Sequence, residues 1–100
     1  MKEFKVKAQS PELVIELSGE IDAGNADEFF EEFEKSYVAP SKVVFECGKV
    51  EFIDSTTLGM FVKILKRVRS DGFTLQIKGL LPRLKKLFMI CSLDTIMEID

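Results

Sequence analysis

Histidine is absent from this chain, and so is tryptophan. Without an imidazole there is no Ser-His or Cys-His nucleophilic pair, and the commonest zinc ligand is missing. Cysteine is scarce: Cys47 and Cys91 lie far apart in the sequence and match no metal or redox spacing. Each sits in an apolar stretch, VVFEC and FMIC, so both are expected as buried free thiols in a reducing compartment. No metal site and no cofactor is expected. No apolar run approaches the roughly 18 residues that a membrane span requires. The opening MKEFKVKAQS lacks the apolar block and small-residue cleavage site of a secretory signal. These absences point to a cytoplasmic protein with no membrane partner.

What is present suits one compact domain over residues 1–100: 46% hydrophobic and 31% charged side chains, enough to fill a core and stay soluble. The net charge of −3 is unevenly spread. Residues 1–54 carry 6 basic and 13 acidic side chains, and residues 55–100 carry 8 basic and 4 acidic. Lys63, Lys66, Arg67, Arg83, Lys85 and Lys86 gather in the second half, but an acidic total and the lack of a recognised binding motif argue against nucleic acid.

Hydrophobic periodicity gives the order β-β-α-β-α-β-α-β. Phe4, Val6 and Ala8 alternate with charged residues, as in a half-buried strand, and Leu13, Ile15 and Leu17 alternate in the same way after the turn at Gln9-Ser10-Pro11. The two strands are expected to pair as a hairpin, with Gly19 to Gly24 breaking the second. A first helix is expected from Asn25, with Asn25 and Glu28 as a capping box and Ala26, Phe29, Phe30, Phe33 and Tyr37 as its apolar stripe. KVVFEC (42–47) reads as a central strand covered on both faces. Leu58, Phe61, Val62, Leu65 and Val68 mark a second helix, and FTLQIK (73–78) another strand. Pro82 suits the first turn of a third helix with Leu84, Leu87, Phe88 and Cys91 inward. TIMEI (95–99) supplies a last short strand. Alternating strands and helices after an opening hairpin call for an α/β fold with a mixed, mostly parallel sheet.

The stretch EFIDSTTLGM (51–60) carries three successive hydroxyls, Ser55, Thr56 and Thr57, behind Asp54. Asp54 or Ser55 serves as a helix cap, which accounts for one of these residues and leaves two hydroxyls over. A hydrolase elbow is disfavoured by the missing G-x-S-x-G frame, and a phosphate-binding loop by the missing G-x-x-x-x-G-K-[ST] spacing. A phosphorylation switch fits a hydroxyl at an exposed helix N-terminus, where the helix dipole tolerates the added charge. Projected at about 100° per residue, Thr56 shares a flank with Met60, Lys63 and Arg67, while Ser55 falls near Gly59 and Lys66.

The segment Asp54-Ser55-Thr56-Thr57-Leu58-Gly59 is similar to the D-S-[ST]-G-[LIVM]-G signature of STAS domains. Gly19-Glu20-Ile21-Asp22, with Asn25 following, resembles the G-[ED]-[LIV]-D turn of the same family. The chain most resembles the small single-domain anti-sigma-factor antagonists of bacteria, over nearly its whole length. That resemblance implies a partner that is an anti-sigma factor with serine/threonine kinase activity. It implies phosphorylation at Thr56, with Ser55 as the alternative, and Asp22 and Asp54 flanking the acceptor. The partner-facing set is then Asp22, Asp54, Ser55, Thr57, Met60, Lys63 and Arg67, and no enzymatic activity is implied. One position departs from the pattern: Thr57 stands where the signature has its first glycine. The exchange is expected to tighten the loop and leaves Ser55 or Thr57 as competing acceptors. It also leaves a second reading, a scaffold or accessory subunit of a transport or stress-sensing complex without phosphotransfer.

Overall fold

In the computed structural model, which describes residues 1–100, the chain forms β1 (Phe4–Ala8), β2 (Leu13–Ile21), α1 (Ala26–Ser36), β3 (Val43–Ile53), α2 (Ser55–Ser70), β4 (Leu75–Lys78), α3 (Pro82–Ile90) and β5 (Glu98–Ile99). A short 3-10 turn, Leu93–Thr95, precedes β5. The element order and the mixed, mostly parallel sheet agree with the sequence reading. The sheet order is β1-β2-β3-β4-β5, with β1 antiparallel to β2 and every later pair parallel. Each crossover steps to the neighbouring strand, and right-handed crossovers taken in one direction place all the helices on the same face.

That one-sidedness corrects the expectation for β3. Val43, Phe45 and Cys47 point toward the helices and join the core. Val44 is buried too, but it belongs to the helix-free face, in the cross-strand row Val14, Val44, Gln76, Glu98. The next row sets two acids between two lysines: Lys5, Glu16, Glu46, Lys78. Lys49 pairs with Glu16 at 3.5 Å and Lys42 with Glu98 at 3.1 Å. The continuous apolar run in β3 therefore combines a core face with one sheltered valine.

The core lies between sheet and helices and is largely aromatic. Ring centroids follow one another from Tyr37 to Phe33 (5.3 Å), Phe45 (6.5 Å), Phe61 (5.3 Å) and Phe88 (5.6 Å). This chain of rings ties α1, β3, α2 and α3 together, with contacts of the edge and offset kinds that aromatic quadrupoles favour.

Other expectations need correction at the edges. Only Phe4 of β1 is buried, packed on Phe29 at 6.3 Å, while Val6 and Ala8 stay exposed because no helix reaches that end of the edge strand. Leu84 and Phe88 anchor α3, but Leu87 and Cys91 are exposed. The sheet beneath α3 is four residues long in β4 and two in β5, enough to receive one stripe of side chains. The final strand is shorter than expected, since Thr95 sits in the 3-10 turn. Gly19 does not end β2, which continues to Ile21 through irregular register between Glu16 and Ser18 and between Gly19 and Glu20. Gly79 does end β4: its φ is +77°, and a Cβ there would meet the Gly48 nitrogen at 3.2 Å.

Candidate functional site

The parallel strands β2 and β3 end side by side, at Ile21 and Ile53, so the loops that follow them meet at one pole of the molecule. The loop after β2 is a tight hydrogen-bonded turn. The Asp22 carboxylate accepts the Gly24 N–H at 2.8 Å. The Asn25 side chain accepts the Asp22 N–H and donates to the Glu20 carbonyl, both at 2.9 Å. Asn25 is thus spent on the turn and makes no side-chain cap to α1. The Asn25–Glu28 capping box expected from the sequence does not form, because the asparagine amide closes back onto β2.

The capping box belongs to α2 instead. Asp54 is the N-cap; its Oδ1 accepts the Thr57 N–H at 3.0 Å, and its own N–H points to Thr57 Oγ1 at 3.4 Å. Asp54 Oδ2 accepts the Ala23 N–H at 3.0 Å, so one carboxylate holds both loops. The Thr57 N–H is the main cause that holds the Asp54 carboxyl below its ordinary range; partial desolvation opposes it, and the Ala23 N–H, the Thr57 hydroxyl and the Thr56 N–H add to it.

The three hydroxyls differ in surroundings. Ser55 is exposed and its hydroxyl makes no hydrogen bond within the protein; it is not the cap, which is Asp54. Thr57 is fully buried, and its hydroxyl donates to the Ile21 carbonyl at the end of β2. It has no left-handed backbone angle and fits the first turn of α2 without needing glycine. It faces inward and leaves no side-chain surface free at the pole. Thr56 is exposed, its hydroxyl makes no hydrogen bond within the protein, and it lines a groove of about 290 Å³ between α1 and α2. Ala26, Asp27, Phe30, Gly59, Met60 and Lys63 complete that groove.

The rest of the expected flank divides. Met60 is 5% exposed and packs into the core beside Ile64, so it forms the groove floor and offers little free surface. The Lys63 amine stands 4.2 Å from the centre of the Phe30 ring. Arg67 is eleven residues along the helix from Thr56, about 16 Å at 1.5 Å per residue. There it lies over Tyr37 at 5.2 Å and pairs with Asp71 at 2.8 Å. Asp71 also accepts the Tyr37 hydroxyl at 2.9 Å. Arg67 is therefore part of a clasp at the far end of α2. Sequence reasoning missed Asp27 and Phe30 as groove residues; the signal was that Phe30 lies at the border of the α1 stripe, the side turned to α2. No group of His, Cys, Asp and Glu has the arrangement of a metal site.

Residues 3–100 match the STAS domain family, and the chain belongs to it. Among similar proteins is the anti-sigma-B factor antagonist of Listeria monocytogenes, 38% identical over 84 residues, which span 83% of this chain and 74% of that protein. The anti-sigma-B factor antagonist of Bacillus subtilis is 31% identical over 95 residues, spanning 95% of this chain and 87% of that one. The fold matches the anti-sigma factor antagonist SpoIIAA in its unphosphorylated form, with a TM-score of 0.82 at 16% identity over 97% of this chain and 87% of the other. No helix is long and apolar enough to cross a membrane.

Proposed function

We propose that this chain is a binding module for an anti-sigma factor with serine/threonine kinase activity. By occupying that partner it frees a sigma factor, and phosphate on Thr56 ends the engagement. The whole chain acts as one module, without enzymatic activity of its own, and such partners put it in the cytoplasm. The observation that carries the reading is the sorting of the three hydroxyls. Thr57 is buried, Ser55 lies outside the groove lining, and Thr56 is the accessible one at the groove. The names of the Listeria and Bacillus relatives support the partner class.

The chemistry of the switch follows from charge. A phosphate adds about −1.5 to −2 charges at the N-terminus of α2, where the helix dipole accommodates it. Asp27 lines the same groove and Asp54 caps the same helix, so the phosphate joins an already acidic surface. A complex formed with the uncharged hydroxyl in close contact loses about 2–5 kcal/mol when an unmatched charge is placed there.

The test is a kinase assay with phosphosite mapping beside a binding titration against the cognate anti-sigma factor. Thr56→Ala abolishes phosphorylation and keeps binding; Thr56→Glu weakens binding. Phosphate found on Ser55 with Thr56 unmodified overturns the site. A Thr56→Glu variant that binds as tightly as wild type overturns the charge mechanism.

A further inference from the structure

We infer that Thr57 is a positioning residue, one that fixes the two loops of the partner surface into a single unit; this rests on the proposed function above. Its hydroxyl meets two acceptors, the carbonyl of Ile21, the last residue of β2, and Asp54 Oδ1 at 3.1 Å, so it reaches both loops at once. Its oxygen faces the N–H of Asp54, and its own N–H holds the Asp54 carboxylate. That carboxylate in turn takes the N–H of Ala23, in the loop that follows Ile21. The circuit Ile21, Thr57, Asp54, Ala23 closes from one loop to the other and back, with Thr57 fully buried at its centre. Asp54 alone joins the loops by a single exposed hydrogen bond, which water can replace. Thr57 adds the buried connection, and a buried carbonyl deprived of its donor has no water to turn to.

A glycine at this position supplies the backbone N–H for Asp54 but no hydroxyl for Ile21. It leaves the end of β2 and the start of α2 to be held by Asp54 only. In this chain the position of Thr56 relative to Asp22 and Ala23 is set by a side chain one residue further on. Thr57 touches no partner; it acts through where it holds its neighbours.

Three variants separate positioning from plain stability. Thr57→Val keeps the shape and removes the hydroxyl, Thr57→Ser keeps the hydroxyl, and Val68→Ala destabilises the other end of α2. Amide hydrogen exchange at Ala23 is read on each free protein, and affinity for the cognate anti-sigma factor is titrated well below melting. Thr57→Val is expected to speed exchange at Ala23 and to weaken binding about tenfold, within the range of one buried hydrogen bond. Thr57→Ser stays within about threefold of wild type, and Val68→Ala changes neither readout at Ala23 nor affinity beyond that margin. In the accompanying kinase assay the loss for Thr57→Val falls on KM more than on kcat. Wild-type affinity in Thr57→Val, or an equal loss in Val68→Ala, overturns the positioning role. If wild type binds no kinase-type anti-sigma factor, the proposed function is what fails. Unchanged exchange at Ala23 in Thr57→Val then still refutes the coupling of the loops.

Discussion

Phe61 is the joint of the aromatic chain, and replacing it measures how much that chain contributes. Its ring is 1% exposed and meets Phe45 edge-on at 5.3 Å and Phe88 at 5.6 Å. Phe61→Leu retains most of the apolar surface and loses both ring pairs, each worth about 0.5–1.5 kcal/mol, so the expected cost is about 1–3 kcal/mol. Phe61→Ala opens a cavity between sheet, α2 and α3 and costs about 3–5 kcal/mol. A domain of this size holds about 5–15 kcal/mol in all, which leaves the alanine variant close to unfolding at the low end. Each kcal/mol lowers Tm by about 4–8 °C at this chain length. The control is Phe52→Ala: that ring is 47% exposed, and its loss is expected to cost under about 1 kcal/mol. Urea unfolding followed by circular dichroism, beside thermal melts, gives all three values. A Phe61→Leu variant as stable as wild type would show that the ring contacts contribute nothing beyond area. Equal costs for Phe52→Ala and Phe61→Ala would place the core on the wrong side of β3 and α2.

Further outcomes follow from the site. Ser55→Ala should change stability by less than about 0.5 kcal/mol, because Asp54 is the cap; a loss of 1 kcal/mol or more in the same melts contradicts the assignment. The Asp54 carboxyl is held low by the Thr57 N–H, so its contribution is whole above the ordinary aspartate range, near pH 4, and is lost as pH falls through the depressed folded value. The difference in Tm between wild type and Asp54→Asn should therefore narrow as melts are taken from pH 7 down to about pH 2–3, and a constant difference counts against the hydrogen-bonded carboxylate. Burial pushes the Cys47 thiol up to about 12, whereas Cys91 is exposed. A thiol reagent should label one cysteine in the native protein and two after denaturation; two fast thiols would mean that β3 opens.

Element type and order were legible in the sequence because strong periodicity marks most elements: Ala26, Phe29 and Phe33 on α1, Phe61, Leu65 and Val68 on α2. What the pattern could not supply was the number of layers. KVVFEC reads the same whether a second helical layer lies behind it or a single valine is sheltered by neighbouring side chains. Leu87 and Cys91 failed for a related reason: helical spacing says which residues share a side, and the length of sheet beneath decides which side is covered. At the site, the first-turn position of Asp54 was readable, whereas the direction of Thr57 was not. A β-branched residue in a glycine position suggested tension, and the structure instead gives its hydroxyl a buried acceptor from β2, a contact between residues 36 apart in sequence. Asn25 was misassigned because an asparagine amide serves a turn as readily as a helix end.

The helices on one face make the molecule thin, with extents of 32 × 30 × 20 Å. Its interior is a slab, one side chain deep from each layer, and depth must come from the reach of individual residues. That gives the buried phenylalanines of this chain a geometric reason. Five of them, Phe29, Phe33, Phe45, Phe61 and Phe88, are among the largest fully buried side chains, and they come from both the sheet and the helices. Leucines at those places would need backbones to move inward to meet, and the loops at the pole would move with them. The spacing between helices and sheet is thus written in ring length.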